Sequence, residues 1–596
     1  MDEQNRNLIL ASVLSFIVII VWFVMFPPPE PPVTDTAADT TVQASTPATL
    51  PAAGEVQTAD VSDIADVPRI AIDTPRVSGS ISLAGGRLDE LFLKDYREEL
   101  AAESDQVQLL RPIGEMDAYY ATYGWIAAAG ASADQVPTPD TIWSLEGDAT
   151  LGVDSPVTLI WDNGAGLVFR RTISIDDNYM FKIDQNVSNT SGSDVELRPY
   201  GLIRRHSEPS TLENFFILHE GLISKADGEL VEDKYKALRG YDFDDRENAL
   251  AVRTEVEENG WIGFTDHFWM TTLIPSTGER FRTTAKYYEK QDIYQSEVVM
   301  ARQVIPSGTQ TTVTSQFFAG AKEWDTIRNY EKAGVVGFLD SIDWGWFFFI
   351  TKPMFAVLHW LNVWIGNMGW AIIGLTLLIK AALFPLAYKS YVSMAKMKEL
   401  QPEMAKLKER CGDDRQRLQK ETMELYKKEK VNPAAGCLPI LLQIPIFFSL
   451  YKVIFVTLEL RHAPWIGWIK DLSAPDPSSI LNLFGLFNYA TPGPESIFSI
   501  VSLGILPILL GISMWLQQKL NPAPTDATQA MIFAWMPWVF MFMLGTFASG
   551  LVIYWIANNM ITFSQQYLIM RTQGYKPDVF GNIIASFKRK DTPSAK

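Results

Sequence analysis

Apolar residues follow two different patterns along this chain. From about Pro68 to Gly320 they recur at every second position in short stretches, such as Val77-Ser-Gly-Ser-Ile-Ser-Leu83 and Val157-Thr-Leu-Ile-Trp161, separated by Gly, Asn and Asp turns. A period of two puts successive side chains on opposite faces, which predicts antiparallel strands folded as an all-β sandwich. The region has room for one large sandwich or a fused pair, and no repeat period emerges. Elsewhere the apolar residues form continuous runs. Leu8 to Phe26 carries no charge and, at about 1.5 Å per residue, can cross a hydrocarbon layer of about 30 Å. It ends in Phe26-Pro27-Pro28-Pro29 rather than a small-residue cleavage site, so an anchoring helix over 8–26 is expected in preference to a cleaved signal.

Five more runs of spanning length follow, at about Met368–Tyr388, Ala434–Thr457, Ile497–Gln517, Met531–Phe547 and Leu551–Met570. The expected fold class is therefore a membrane α-helical bundle of six transmembrane helices joined to a β-sandwich domain. Before the second run, Gly337–Ile350 mixes Asp340, Asp343 and Trp344 with Trp346, Phe347, Phe348 and Phe349, a pattern suited to a helix lying in the interface over 334–352. After it, Met397, Leu400, Met404 and Leu407 recur at helical spacing, Cys411-Gly412-Asp413-Asp414 interrupts, and Leu418, Thr422, Leu425 and Tyr426 resume. That predicts a helical hairpin over 389–432. The remaining divisions are 1–7 before the first helix, a Pro-, Thr- and Ala-rich tether over 27–67, the β domain over 68–333, the approach and second helix over 353–388, four helices over 433–570, and a basic tail over 571–596.

Charge orients these pieces. The hairpin carries an excess of Lys and Arg, and the tail adds Arg571, Lys576, Lys588, Arg589 and Lys590. With six crossings both fall on one side, the cytoplasmic side by the positive-inside rule. Both termini then lie in the cytoplasm and the β domain in the periplasm, as in a Gram-negative inner membrane. The net charge of −18 over 596 residues comes mostly from the β region, and no long basic face for nucleic acid is present. The two cysteines, Cys411 and Cys437, both lie outside the β region, so it has no disulfide framework.

One residue conflicts with its setting. Lys380 lies inside the second run, about 12 Å along a helix from Tyr388 at the cytoplasmic end. A cation near mid-bilayer costs roughly 2.5–3.5 kcal/mol on insertion scales, so it is normally paired, snorkelled or hydrated. The last four runs contain no Asp or Glu within the bilayer, but they do contain Gln443, Asn558, Asn559, Thr562, Ser564, Gln565 and Gln566. Either Lys380 snorkels to the headgroups, or it lines a wet, cytoplasm-open groove with Thr376, Gln443 and the polar residues of the last run, Asn558 and Asn559 among them. Beside such a groove, Ile444, Pro445, Phe447, Pro537, Val539, Phe540 and Phe542 place prolines and apolar side chains within spanning helices, where they either serve as an adaptable slide for an incoming segment or simply pack.

Enzymatic chemistry is not indicated. The five histidines, His206, His219, His267, His359 and His462, are scattered without metal spacing, and no phosphate-cradling loop is present, so no cofactor is expected. A channel or secondary transporter for a small anionic solute is the competing function, because a charge in a groove also resembles a substrate site. Against it, no paired halves with interrupted helices are visible. Trp143, Trp161, Trp261 and Trp269 are expected as core or interface residues rather than a carbohydrate platform.

Several motifs together resemble a known family. They are Ser393-Met-Ala-Lys-Met397, Leu400-Gln-Pro402, Gly412-Asp-Asp414, Lys430-Val-Asn-Pro433, Gly436-Cys-Leu-Pro439, Gln443-Ile-Pro-Ile-Phe447, Met536-Pro537 and Ser549-Gly-Leu-Val-Ile-Tyr554. In order, over about 347–571, they closely resemble the YidC-type insertases. The resemblance implies a periplasmic β-super-sandwich, a five-helix insertase core with a hydrophilic groove, and insertion of nascent membrane proteins, alone or with the Sec translocon. Further partners it implies are the lipid bilayer and, through the hairpin and tail, ribosomes or targeting factors. The groove cation of relatives is usually Arg, matched here by Lys380; the resemblance also implies that Tyr554 and Trp555 line the groove, with Trp555 standing where many relatives carry Tyr.

Overall fold

The computed structural model describes residues 67–574 apart from 102, 213–217, 413, 430, 432–437, 488, 490, 493–495, 497–500 and 522–526. The expected first helix, nearly all of the tether and all but the start of the basic tail lie outside the described residues.

Alternation along the first half becomes strand structure. In Leu167–Ile175, for example, Leu167, Phe169, Arg171, Ile173 and Ile175 are buried while the residues between them are only half-buried. Strands from Arg69 to Ala321 assemble into two sheets, of twelve and nine strands among the described residues. The larger sheet centres on Val195–His206, flanked by Tyr119–Ala127 and Ile293–Met300; the smaller centres on Gln310–Ala321, between Trp269–Pro275 and Met180–Asn189. Pairing is antiparallel except where Arg69–Asp73 runs parallel to Thr150–Leu151. Phe169, Phe181, Phe264, Phe317 and Tyr294 fill the space between the sheets, completing a single sandwich. Trp143 and Trp261 are buried in that core, and Trp161 and Trp269 pack on its margin. One buried cation belongs to it: the Arg171 guanidinium donates to the carbonyls of Gly85 (3.0 Å), Gly86 (2.9 Å) and Tyr123.

Helix α1 (Trp324–Lys332) follows the last strand, and α2 (Phe348–Ile365) leads into the helical region. The segment expected as an interfacial helix over 334–352 is built differently. It contains a 3-10 turn at Phe338–Ser341 and irregular chain up to α2. Its polar residues are consumed by tertiary contacts: Asp340 pairs with Lys225 and with Lys352 (2.7 Å), and Asp343 accepts the His219 N–H (2.8 Å). Gly337 and Gly345 adopt left-handed backbone (φ 67° and 68°), which bends the chain between these anchors. Among the described residues α2 is the one continuous helix long and apolar enough to cross a bilayer. It buries Met354, Phe355, Leu358 and Leu361 at helical spacing and exposes Trp360, Val363 and Trp364.

Gly366 (φ 75°) ends α2, and Asn367 caps α3 (Met368–Ala382) by accepting the Trp370 N–H (3.2 Å). The expected second crossing does not continue straight to Tyr388. Pro385 cannot donate to Ala381, so the chain bends by 69° into α4 (Phe384–Glu399). Helices α5 (Gln401–Cys411) and α6 (Arg415–Lys428) then form a hairpin through Gly412 (φ 53°), closed by Arg410–Glu421 and by Tyr426 Oη on Met404 Sδ (3.1 Å). Four apolar helices follow: α7 (Leu438–Val456), α8 (Ile505–Gln518), α9 (Ala527–Met543) and α10 (Ser549–Thr572). In the bundle α10 packs against α3 and α8, α9 against α8, and α7 against α2. With 14 residues α8 rises only about 21 Å, less than a full crossing, because it begins at Ile505, where Asp476 accepts the Leu506 N–H (2.8 Å).

Candidate functional site

Three helices meet at Lys380, near the C-terminal end of α3. Its Nζ donates to Gln443 Oε1 on α7 (3.2 Å), and Gln443 Nε2 donates to Tyr554 Oη on α10 (2.6 Å). Lys380 and Gln443 are half-buried and Tyr554 is buried. No acidic residue occurs in α3 or in α7 to α10, so the partner that Lys380 finds is a neutral amide. A neutral oxygen supplies a hydrogen bond but no opposing charge.

A second lysine, not among the expected groove residues, sharpens the contrast. Lys452 also lies inside an apolar helix, α7, and is 6% exposed, yet it forms an ion pair with Asp343 from the irregular chain before α2. One lysine within an apolar helix is neutralised by a carboxylate; the other has none among the described residues. The available signal was that Lys452 sits near the periplasmic end of its run, within reach of the acidic β-domain side.

Polar groups continue along α10. Asn559 Nδ2 donates to Ser513 Oγ on α8 (3.0 Å), and Asn558 Nδ2 contacts Asn559 Oδ1 (3.4 Å). Asn558 Oδ1, Gln565 Oε1 and the indole N–H of Trp555 are buried with no hydrogen-bond partner among the described residues. Such groups cost about 1–3 kcal/mol each if left dry. Ser513 and Gln518 were missed from sequence, because single polar residues in an apolar run carry no periodic signal. Gln518 Nε2 donates to the carbonyl of Phe533, the acceptor freed by Pro537 one helical turn later. Thr376 stands apart from the Lys380 chain: it is buried, with its hydroxyl on the carbonyl of Ile372 in its own helix (2.8 Å).

The expected slide residues divide into two groups. Ile444, Val539 and Phe542 are exposed apolar side chains on α7 and α9, with Val539 58% exposed. Phe447 stacks on Tyr451 (5.9 Å between centroids) and packs against Trp555 (5.0 Å), while Pro537 is buried and Phe540 packs on the core. Pro445 is half-buried inside α7.

Known proteins match this chain over its whole length. Residues 360–576 match the family model described as 60Kd inner membrane protein, and residues 69–357 match the YidC periplasmic domain. A protein of Roseobacter denitrificans named membrane protein insertase YidC is 63% identical, with 100% of both chains covered. One of Dinoroseobacter shibae with the same name is 62% identical over 99% of both. Among solved structures, one described as an active YidC insertase crystal structure with the first transmembrane domain resolved matches 85% of this chain and 96% of its own, at 16% identity and a TM-score of 0.35. From the two sequence relatives and the matched β and helical segments together, the chain belongs to the YidC family of membrane protein insertases.

Proposed function

We propose that Lys380, Gln443 and Tyr554 line a hydrated groove open to the cytoplasm, through which polar stretches of a nascent membrane protein enter the bilayer partway. Asn558, Asn559 and Trp555 extend the groove, and the exposed apolar side chains of α7 and α9 receive the hydrophobic segment as it leaves. The observation that carries this reading is the unneutralised charge of Lys380, hydrogen-bonded to an amide oxygen, set beside the paired Lys452. A cation without a counter-ion is tolerated in a membrane where water reaches it, and the orphaned polar atoms of α10 favour the same wet environment. Six crossings are the finer reading, with α2 lying along the periplasmic interface. Its exposed Trp360 and Trp364 suit headgroup level, and a seventh crossing would move the basic hairpin to the periplasm. Both termini are then cytoplasmic. The hairpin of α5 and α6 is the contact for ribosomes or targeting factors, and association with the Sec translocon extends the range of clients.

Site-directed crosslinking of a stalled nascent chain tests the path. Photoreactive residues at 444 and 539 are expected to capture the client's apolar segment, and a water-soluble thiol reagent is expected to label a cysteine at 380. A position 380 that stays unlabelled in the folded protein would remove the physical basis of the groove.

A further inference from the structure

The loop that leads into α8 turns apolar side chains outward and polar backbone inward. No charged residue occurs between Asp476 and Glu495. Within that stretch Ile480, Leu483, Phe484, Leu486, Phe487 and Tyr489 are all exposed, Leu486 by 77%. A contiguous apolar surface of this kind is rare on a chain that faces water. The backbone beneath it is largely spent on itself. The Ile480 N–H donates to the carbonyl of Leu503 (2.8 Å), Leu483 to Ile480 (3.1 Å), Phe484 to Ser479 (2.7 Å), Leu486 to Leu483 (3.2 Å) and Phe487 to Asn482 (3.0 Å). Side chains close further gaps: the Leu481 N–H donates to Ser479 Oγ (3.1 Å), the Gly485 N–H to Asn482 Oδ1 (2.9 Å), and Tyr489 Oη to the Leu481 carbonyl. A loop in water can leave such groups to solvent, whereas one that meets lipid has to satisfy them within the chain. Leu483 and Phe484 adopt left-handed backbone (φ 48° and 58°), an unfavourable conformation for bulky residues, and both side chains end on the outside of the turn.

The loop is fastened to the start of a membrane helix. Asp476 accepts the N–H groups of Ser478 (2.9 Å) and Leu506 (2.8 Å), Ser478 Oγ accepts the Ile505 N–H (2.9 Å), and the Ser479 and Ser502 hydroxyls share a hydrogen bond (2.7 Å). Because α8 is too short for a full crossing, these contacts hold the loop at the depth its missing turns would occupy. Trp468 fits the same level: its indole N–H donates to Asp476 Oδ1 (2.9 Å) while the ring stays exposed, as suits an aromatic side chain at headgroup depth.

We propose that residues 480–489 form a wedge seated in the periplasmic leaflet, its apolar side chains among the acyl chains just below the headgroups. The occupant of this surface is lipid for two reasons. The loop leads directly into α8, whose Leu509 and Ile512 are exposed in turn, and a backbone already paired within itself offers no free edge to an extended protein partner. The leaflet named rests on the proposed six-crossing topology; the depth does not.

The test uses the full-length chain with Cys411→Ser and Cys437→Ser, carrying a nitroxide on Leu486→Cys or on Phe487→Cys, in vesicles of phosphatidylethanolamine and phosphatidylglycerol. Electron paramagnetic resonance compares collisions with oxygen, which concentrates among acyl chains, and with a water-soluble nickel chelate supplied on both sides of the vesicle, so a wrong topology would leave the readout of depth unchanged. Both positions are expected to favour oxygen severalfold, as Ile512→Cys on α8 should, while Met116→Cys on the exposed β domain should favour the chelate. The second position keeps the test open if one label disturbs folding. Preference for the chelate at 486 and 487 would overturn the proposal, and shielding from both reagents would overturn it as well, by assigning the surface to a protein contact.

Discussion

Replacing Lys380 with alanine is expected to slow insertion of clients whose translocated segment carries an acidic residue, with little effect on neutral ones. The magnitude follows from the contacts at the site. A client carboxylate drawn to about 4 Å from the ammonium gains about 4 kcal/mol at an effective dielectric near 20. To make that contact Lys380 gives up its hydrogen bond to Gln443 (3.2 Å), a loss of about 1.5–3 kcal/mol. The difference, about 1–2.5 kcal/mol, corresponds to a rate factor of roughly 5–70 for each acidic residue. Lys380→Arg keeps the charge and is expected to stay near wild type, while Lys380→Glu should fall below alanine because it repels the same carboxylate. The assay compares two versions of a small test membrane protein, one with a single Asp in its translocated segment and one with Asn there. Both are inserted into proteoliposomes and scored by protease protection. An alanine variant that slows the Asp and Asn clients equally would refute electrostatic attraction as the role of Lys380.

Other consequences follow from the same contacts. Removing residues 398–428, the paired helices α5 and α6 with the preceding turn, is expected to lower insertion of ribosome-bound clients in the same proteoliposomes; undiminished insertion would rule out the hairpin as their contact. Arg171→Met strips three carbonyls of their donor inside the sandwich and is expected to destabilise the β domain by about 3–5 kcal/mol, read as a lowered thermal midpoint by circular dichroism. His219 is buried against the Leu222 carbonyl, and desolvation pushes its pKa down to about 4. Because the folded value lies below the unfolded one, near 6.5, the stability it contributes is complete above about pH 6.5 and is lost as pH falls toward 4, by up to about 3 kcal/mol. Denaturant titrations between pH 7.5 and 4.5 should show that slope in the wild type and a flatter one in His219→Gln.

Much of this architecture was legible because it rests on local pattern. Alternation marked the strands of the sandwich, helical spacing marked Met404, Leu407, Leu418 and Leu425 on the facing sides of the hairpin, and a lone cation in an apolar run marked Lys380. The helix expected over 334–352 was misplaced for a physical reason: Asp340 and Asp343 look like the polar face of an interfacial helix, but they are spent on Lys225, Lys352, His219 and Lys452. Thr376 shares the run of Lys380, which points to the same groove, but its hydroxyl turns back to its own helix.

By itself, the order of residues determined where strands, apolar helices and the basic hairpin occur, since periodicity and hydropathy are properties of neighbouring residues. Only the folded chain decided which charges are neutralised. The links from Lys380 to Gln443 and from Gln443 to Tyr554 join positions 63 and 111 residues apart. Lys452, in the same kind of apolar run, is matched by a carboxylate from outside its helix. The two lysines are alike in sequence and opposite in electrostatics, because a charge in a membrane is defined by what long-range packing sets beside it.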